Sequence, residues 1–283
     1  MDRYKLIHNH MLFLHTHHIV DLYCWVDECL PKQIHQKTGR PPSVSHTEVI
    51  TILIWNTITL KQNTFKDIFN AVSLYHQKDF PTLPTYSRFV DHCHSVIPQF
   101  LELIELLLQS SDIGIVDSTM IEVCKLHRAD SHKVARGKAQ FGKNWQGWHY
   151  GFKLHATINL DGALSSIHFT GSNEYDAQLL PNLINKQKIL VGDTLYGARV
   201  MREYIWEEYG TVIISPPFPK QNKKIATPWQ NVLLNMRSKI ESVFDYLKNH
   251  LHLVSSFPRS MNGYLIHYLR ILVSYQIMAL QRG

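Results

Sequence analysis

Through the first 110 residues, apolar side chains return every three to four positions, the spacing of an amphipathic helix. This periodicity predicts helices over residues 4–30, 45–60, 64–75, 85–94 and 100–109. Pro31 ends the first, and the polar break Lys37-Thr-Gly-Arg-Pro-Pro42 separates it from the rest. Ser45 and Glu48 have the spacing of a capping box at the start of the second. From Gly114 the period shortens. Residues 114–117 are a short apolar strand that leads to Asp117, and residues 118–150 follow as a long polar excursion. Residues 151–160 alternate Phe152, Leu154, Ala156 and Ile158 with Lys153, His155, Thr157 and Asn159, then turn at Asp161-Gly162 and return over 163–171. This is a hairpin with one buried face, and Lys153 and His155 fall on the face expected to meet solvent.

Beyond the hairpin, Asp176 stands where a helix cap is wanted, ahead of Leu179, Leu180, Leu183 and Ile184, although Glu174 and Asp176 could instead be additional carboxylates that crowd the site. Residues 188–191 form another apolar strand, which ends on Gly192 and delivers Asp193 into a turn before a helix over 198–209. A strand over 211–215, a loop through Pro216-Pro-Phe-Pro219 and Lys220-Gln-Asn-Lys-Lys224, and helices over 235–248 and 262–281 complete the chain. Strands that stop at carboxylates place them at the carboxyl edge of a sheet, where open α/β sheets bind ligands. On the 235–248 helix, about 100° per residue brings Arg237, Glu241 and Lys248 within roughly 40° of one another. One acid thus lies between two bases.

Charge sharpens this picture. Residues 1–110 carry nine Lys/Arg against ten Asp/Glu, and the remainder carries 20 against 13, within a formal net charge of +6. The basic excess lies in the part that holds the three carboxylates, an arrangement suited to a polyanion held near metal ions. Within the polar excursion Lys125, Arg128, Lys133, Arg136, Lys138 and Lys143 outnumber Glu122 and Asp130, with Trp145, Trp148 and Tyr150 interleaved. Cations with aromatics suit a sugar-phosphate backbone and unstacked bases, and the alternative is a solvated loop whose tryptophans plug the core. Cys24, Cys29, Cys93 and Cys124 lack Cys-x-x-Cys spacing, and His92-Cys93-His94 has no second ligand pair, so reduced thiols of a cytoplasmic protein are expected. His267, Arg270 and Gln276 interrupt the final apolar run, which reads as a buried helix rather than a membrane span. No signal peptide is expected at the amino terminus.

Asp117, Asp193 and Glu241 are separated by 76 and 48 residues in the order strand, strand, helix. With Ile115-Val-Asp-Ser-Thr119, Tyr150-Gly-Phe-Lys-Leu-His155, Val191-Gly-Asp-Thr-Leu-Tyr-Gly197 and Arg237-x3-Glu241-x6-Lys248, the chain resembles the bacterial insertion-sequence transposases of the Asp-Asp-Glu type. The related signature often has a Tyr three residues before the Arg, where this sequence has Leu234. The resemblance implies an α/β fold: a ribonuclease H-like mixed five-stranded sheet flanked by helices over residues 111–283. It also implies an all-helical, helix-turn-helix-like DNA-binding region over 1–110. Asp117, Asp193 and Glu241 would be both catalytic residues and metal ligands, holding two Mg²⁺ ions for which Mn²⁺ can substitute. Arg237, Lys248, Lys138, Lys143, Lys153 and Trp148 would contact DNA. The implied partners are terminal inverted repeats and target DNA, with a homo-oligomer on paired ends at the bacterial nucleoid and no membrane. Two alternatives stand beside this reading: a ribonuclease H-like nuclease without strand transfer, and an inactive transposase-derived DNA-binding protein. Taken singly, each carboxylate could also be a cap, a turn residue or a salt-bridge partner.

Overall fold

The computed structural model describes residues 14–30, 42–144, 147–218 and 227–282. The first part of the 4–30 helix, most of the 37–42 break, Trp145 and the basic loop 220–224 lie outside the described residues. Packing divides the chain into two units, residues 1–107 together with 247–283, and residues 108–246. This differs from a single cut at residue 110, because the last helix packs with the first ones.

In the first unit the helices are α1 (Ile19–Cys29), α2 (His46–Trp55), α3 (Phe65–Tyr75), α4 (Tyr86–Ser95), α5 (Ile97–Leu107) and α10 (Met261–Leu280). The capping box is formed: the Glu48 amide donates to Ser45 Oγ at 3.1 Å and the Ser45 amide to Glu48 Oε2 at 2.6 Å. Helix α10 packs on α5 and α2 and is buried nearly all round. The polar residues that interrupt its sequence are all paired. Arg270 donates to Thr57 Oγ1 at 2.6 Å and to the Gln62 and Asn63 carbonyls at 3.1 Å, and Gln276 Nε2 donates to the Leu107 carbonyl at 2.7 Å. His267 donates from Nε2 to the His252 carbonyl at 3.0 Å, and burial pushes its pKa down to about 3, so it is neutral. Among the described residues no helix is long and apolar enough to cross a membrane.

The second unit is built on a six-stranded mixed sheet of β1 (Ile113–Glu122), β2 (Gln140–Asn144), β3 (Gly147–Ile158), β4 (Leu164–Gly171), β5 (Ile189–Val191) and β6 (Val212–Ile214). The expected five strands follow the path β4-β3-β1-β5-β6, antiparallel from β4 to β1 and parallel from β1 to β6. Strand β2 is an addition. It pairs with residues 147–151 of β3, so the last part of the supposed polar excursion is a two-stranded ribbon that prolongs the sheet. The turn after β3 is tight: Gly162 has φ +92°, and Asn159 Oδ1 accepts from the Asp161 and Ala163 amides at 2.9 Å each.

Short helix α6 (Leu180–Leu183) and helix α7 (Arg199–Tyr209) cover one face of the sheet. Their Leu180, Leu183 and Ile205 close on Val116, Leu190 and Ile213, with Leu179 and Ile184 at the margin, as the periodicity predicts. The 235–248 helix is not continuous. An additional helix, α8 (Pro228–Asn235), capped by Thr227, precedes it, and after a break at Met236 and Arg237 the expected stretch is α9 (Ser238–Asp245) followed by a π-helical turn, Tyr246–His250. Arg237 sits at the break, as the residue preceding α9. The uniform 100° step that aligned Arg237, Glu241 and Lys248 therefore does not hold along the whole segment.

Candidate active site

Strand register explains why two aspartates far apart in sequence become neighbours. Ile115 of β1 pairs in parallel with Val191 of β5, and this is the last pair before the two strands diverge. Asp117 and Asp193 each lie two residues beyond that pair. Parallel neighbours run about 4.8 Å apart, so both carboxylates leave the sheet at the same level. Asp117 is not the end of its strand, because β1 continues to Glu122, with β3 as its only partner there among the described residues. The strand end that matters is that of β5. Where β5 stops, a notch opens beside β1, and Asp117 stands in it.

Gly192 allows the close approach that shapes this notch. A Cβ there would stand 2.7 Å from Tyr196 Cδ2 and 3.0 Å from Val116 Cγ1. The Tyr196 ring instead lies over bare backbone, fully buried, and its hydroxyl has no hydrogen-bond partner among the described residues. Burial first, and then the charges of Asp176, Asp117 and Asp193, hold this hydroxyl well above the ordinary tyrosine pKa. It stays protonated in the field of three acids. Asp193 also serves the local fold, since its Oδ1 accepts from the Leu195 amide at 2.8 Å and caps the 3₁₀ turn Thr194–Gly197.

Asp117 Oδ1 accepts from the Ser118 amide at 2.8 Å. Its pKa is nevertheless pushed up to about 6. Burial is the largest cause, and the Asp193 and Asp176 charges add to it, while the Ser118 amide and Arg237 oppose it. A carboxylate that is buried beside a second acid is poorly compensated by the protein alone. Arg237 acts on Asp117 from the start of α9, and α9 packs against β1. The Val116 face of β1 is filled by α6, α7 and Tyr196. Side chains alternate along a strand, so Asp117 points to the other face. Glu241 lies exposed in the first turn of α9.

The chemistry of this donor set suits a hard divalent cation, because oxygen ligands of uncompensated negative charge are what Mg²⁺ takes. Among the described residues, however, no group of three or more His, Cys, Asp or Glu is close enough to share one metal ion. Asp117 and Asp193 are brought together; Glu241 is not joined to them in this arrangement.

Several other residues depart from expectation. Lys153 and His155 do not face solvent. β3 is bonded on both edges, and the face that carries them is covered, so Lys153 is 8% exposed and His155 fully buried. Lys153 Nζ donates to the Glu174 carbonyl at 2.7 Å and to Asp176 Oδ1 at 3.0 Å. A buried ammonium committed to two acceptors is not a phosphate contact, so the DNA role expected for Lys153 gives way to one of holding Asp176. Asp176 in turn is no helix cap; it begins the 3₁₀ turn Asp176–Leu179 without a capping bond. Next to it, burial and Lys153 push the pKa of His155 down to about 4 against the opposing pull of Asp176. The neutral ring meets Thr170 Oγ1 from Nε2 at 2.8 Å.

The sequence reading did not anticipate Tyr196; for Asp176 it favoured a helix cap over a carboxylate crowding the site, and the second of these is what the electrostatics of Asp117 and Tyr196 support. The sequence held no local signal for the burial of Lys153 beside Asp176, because Lys153 stands on the polar side of an alternating strand. Lys138 and Lys143 are exposed, and Lys143 Nζ lies 5.8 Å from the centroid of Trp148, itself 55% exposed. Lys248 lies in the π-helical turn, which falls largely within the first unit.

The family model of the transposase DDE domain matches residues 108–261. The chain belongs to this family. Searches of the curated proteins and of the solved structures find no match. The matched span contains the whole sheet, both aspartates and Glu241. The mixed sheet flanked by helices, with a helical amino-terminal region, bears out the ribonuclease H-like α/β expectation. As a DDE-type transposase, the chain has DNA as its implied partner.

Proposed function

We propose that this transposase binds the terminal inverted repeats of an insertion sequence and carries out metal-dependent DNA cleavage and strand transfer, with Asp117, Asp193 and Glu241 as its acid triad. The observation that carries the reading is that Asp117 and Asp193 each lie two residues beyond the last pair of the adjacent parallel strands β1 and β5, at the open end of β5. Two divalent ions, Mg²⁺ or in its place Mn²⁺, supply activation of the attacking oxygen and stabilisation of the leaving one.

The chain's own residues do the rest. Asp117 is mostly ionised at neutral pH and, with Asp193, offers the negative charge that holds the cations. Glu241 would complete the set from α9, which packs against β1. Arg237, at the start of α9, neutralises a DNA phosphate beside Asp117, and Lys248 holds the backbone further along. Lys138, Lys143 and Trp148 engage DNA on the β2–β3 ribbon. The helical region over 1–110 reads the repeats, and two or more copies act on paired ends at the bacterial nucleoid.

The test is cleavage of end-labelled DNA bearing the element's own terminal repeats, in Mg²⁺, Mn²⁺ or EDTA, with Asp193→Asn as control. Metal-dependent nicking at the repeat boundary, with joined products, is expected for the wild type. The variant should bind the ends within about threefold of wild type and cut none. Equal loss of binding and cleavage would refute the metal-holding role; cleavage indifferent to the repeats, without joining, would mark a general nuclease.

A further inference from the structure

The β2–β3 ribbon has two unlike faces. Lys143 pairs across it with Trp148, and Phe141 with Tyr150, so these four side chains share one face, because cross-strand partners point the same way. Gly142 pairs with His149 on the other. That second face is tied down. His149 lies against Glu122 through Nδ1 and against Asn144 Oδ1 at 2.8 Å through Nε2, and a Cβ on Gly142 would strike the Ser172 carbonyl oxygen at 2.3 Å.

The first face is open. Trp148 is 55% and Phe141 44% exposed, although solvent-facing aromatics of this size are costly to leave uncovered. Tyr150, buried, braces Phe141 with ring centroids 4.9 Å apart, and His132 meets Tyr150 edge-on at 6.2 Å. Lys143 stands over the Trp148 ring, and Lys138 is exposed two residues before β2. Between Glu122 and Asn144 six Lys/Arg face two acids. A partner for this surface should therefore be anionic and carry flat apolar faces.

Spacing selects among forms of DNA. Residues two apart on a strand are separated by about 6.8 Å, whereas bases along one strand of a duplex rise by about 3.4 Å. Rings set on rows twice the duplex rise apart suit bases drawn away from each other rather than bases stacked within a helix. We propose that the β2–β3 ribbon is a stacking platform for an unpaired stretch of DNA, with bases on Trp148 and Phe141 and phosphates on Lys143 and Lys138. This rests on the DNA-processing reading above and adds to it a strand-selective surface. The paired strands already set these side chains on one face, so less ordering cost opposes the contact.

The experiment measures anisotropy of labelled oligonucleotides over a salt series, with the full chain in EDTA. The probes are a single strand, a flush duplex carrying the terminal repeat, and that duplex with an unpaired flank. Trp148→Ala should weaken binding of the single strand and the flanked duplex by roughly 10-fold or more, leaving the flush duplex within about twofold. Trp148→Phe, which keeps a flat ring, should restore most of the loss. Lys143→Ala should weaken all three probes and reduce the salt slope by about 1. Equal loss on all probes with Trp148→Ala, or failure of Trp148→Phe to rescue, overturns the platform. So does a wild-type protein that shows no affinity for the single strand. A shift in oligomeric state with Trp148→Ala and unchanged affinity for the single strand would instead make this face a contact between copies. A wild type that cuts its ends without favouring unpaired DNA refutes only the platform; platform-dependent binding without any cutting refutes only the transposition chemistry.

Discussion

Replacing Asp117 by asparagine is expected to make the metal-free protein more stable, although the residue stands at the centre of the site. The carboxyl has an ordinary pKa of 3.8 and is pushed up to about 6 in the folded chain. The folded state therefore binds the proton more tightly than the unfolded one, and stability falls as pH rises from about 4 through about 6, then levels off. At about 1.4 kcal/mol per pKa unit, the ionised carboxylate costs the fold at most about 3 kcal/mol at pH 7. Asparagine is nearly isosteric, keeps an oxygen for the Ser118 amide, and carries no charge towards Asp193 and Asp176. The variant should melt roughly 5–10 °C higher than wild type at pH 7 in EDTA, and the difference should vanish near pH 4. Circular dichroism melts from pH 4 to 7.5 measure both. Added Mg²⁺ should narrow the gap by stabilising the wild type alone. An asparagine variant that is no more stable at pH 7, or that keeps the wild-type slope between pH 4 and 6, would refute the view of Asp117 as an uncompensated acid.

Lys153→Met should cost about 3–5 kcal/mol in urea unfolding, because it leaves Asp176 unpaired in a mostly buried site, and the double variant Lys153→Met/Asp176→Leu should recover most of it. A single variant as stable as wild type would remove the ion pair from the list of supports. Gly192→Ala should destabilise by about 1–3 kcal/mol as the Tyr196 ring is displaced, and end cleavage should fall further than stability does; unchanged cleavage would dissociate the Tyr196 packing from the notch. Arg270→Met leaves the Gln62 and Asn63 carbonyls and the Thr57 hydroxyl short of a donor, at about 1–3 kcal/mol for each group left unpaired. The urea midpoint of the helical unit is the readout, and a variant within 1 kcal/mol of wild type would contradict it.

Local signals in the sequence reached a long way. The Ser45 capping box, the Asn159–Gly162 turn, the inward leucines of α6 and the strands ahead of Asp117 and Asp193 depend on neighbours a few residues apart, and short-range spacing specifies them. The buried helix α10 was legible too, since three polar residues in an apolar run imply buried partners. What the tertiary structure decided depends on pairing between distant segments. The alternation in β3 is the same whether its polar face meets water or a second layer, and only the return of the chain to place Asp176 beside Lys153 shows that the face is dry. Likewise, an apolar run ending in an aspartate does not reveal that β1 continues past Asp117. The register Ile115 to Val191 makes Asp117 a neighbour of Asp193, and register is set by long-range hydrogen bonding. The break at Arg237 and the π-helical turn were hidden for the same reason: the apolar spacing of residues 236–247 fits one uniform helix, and α8 just before it and α9 within it pack on different strands. Residue identity thus determined which groups carry the chemistry, whereas the sheet decided which of them meet.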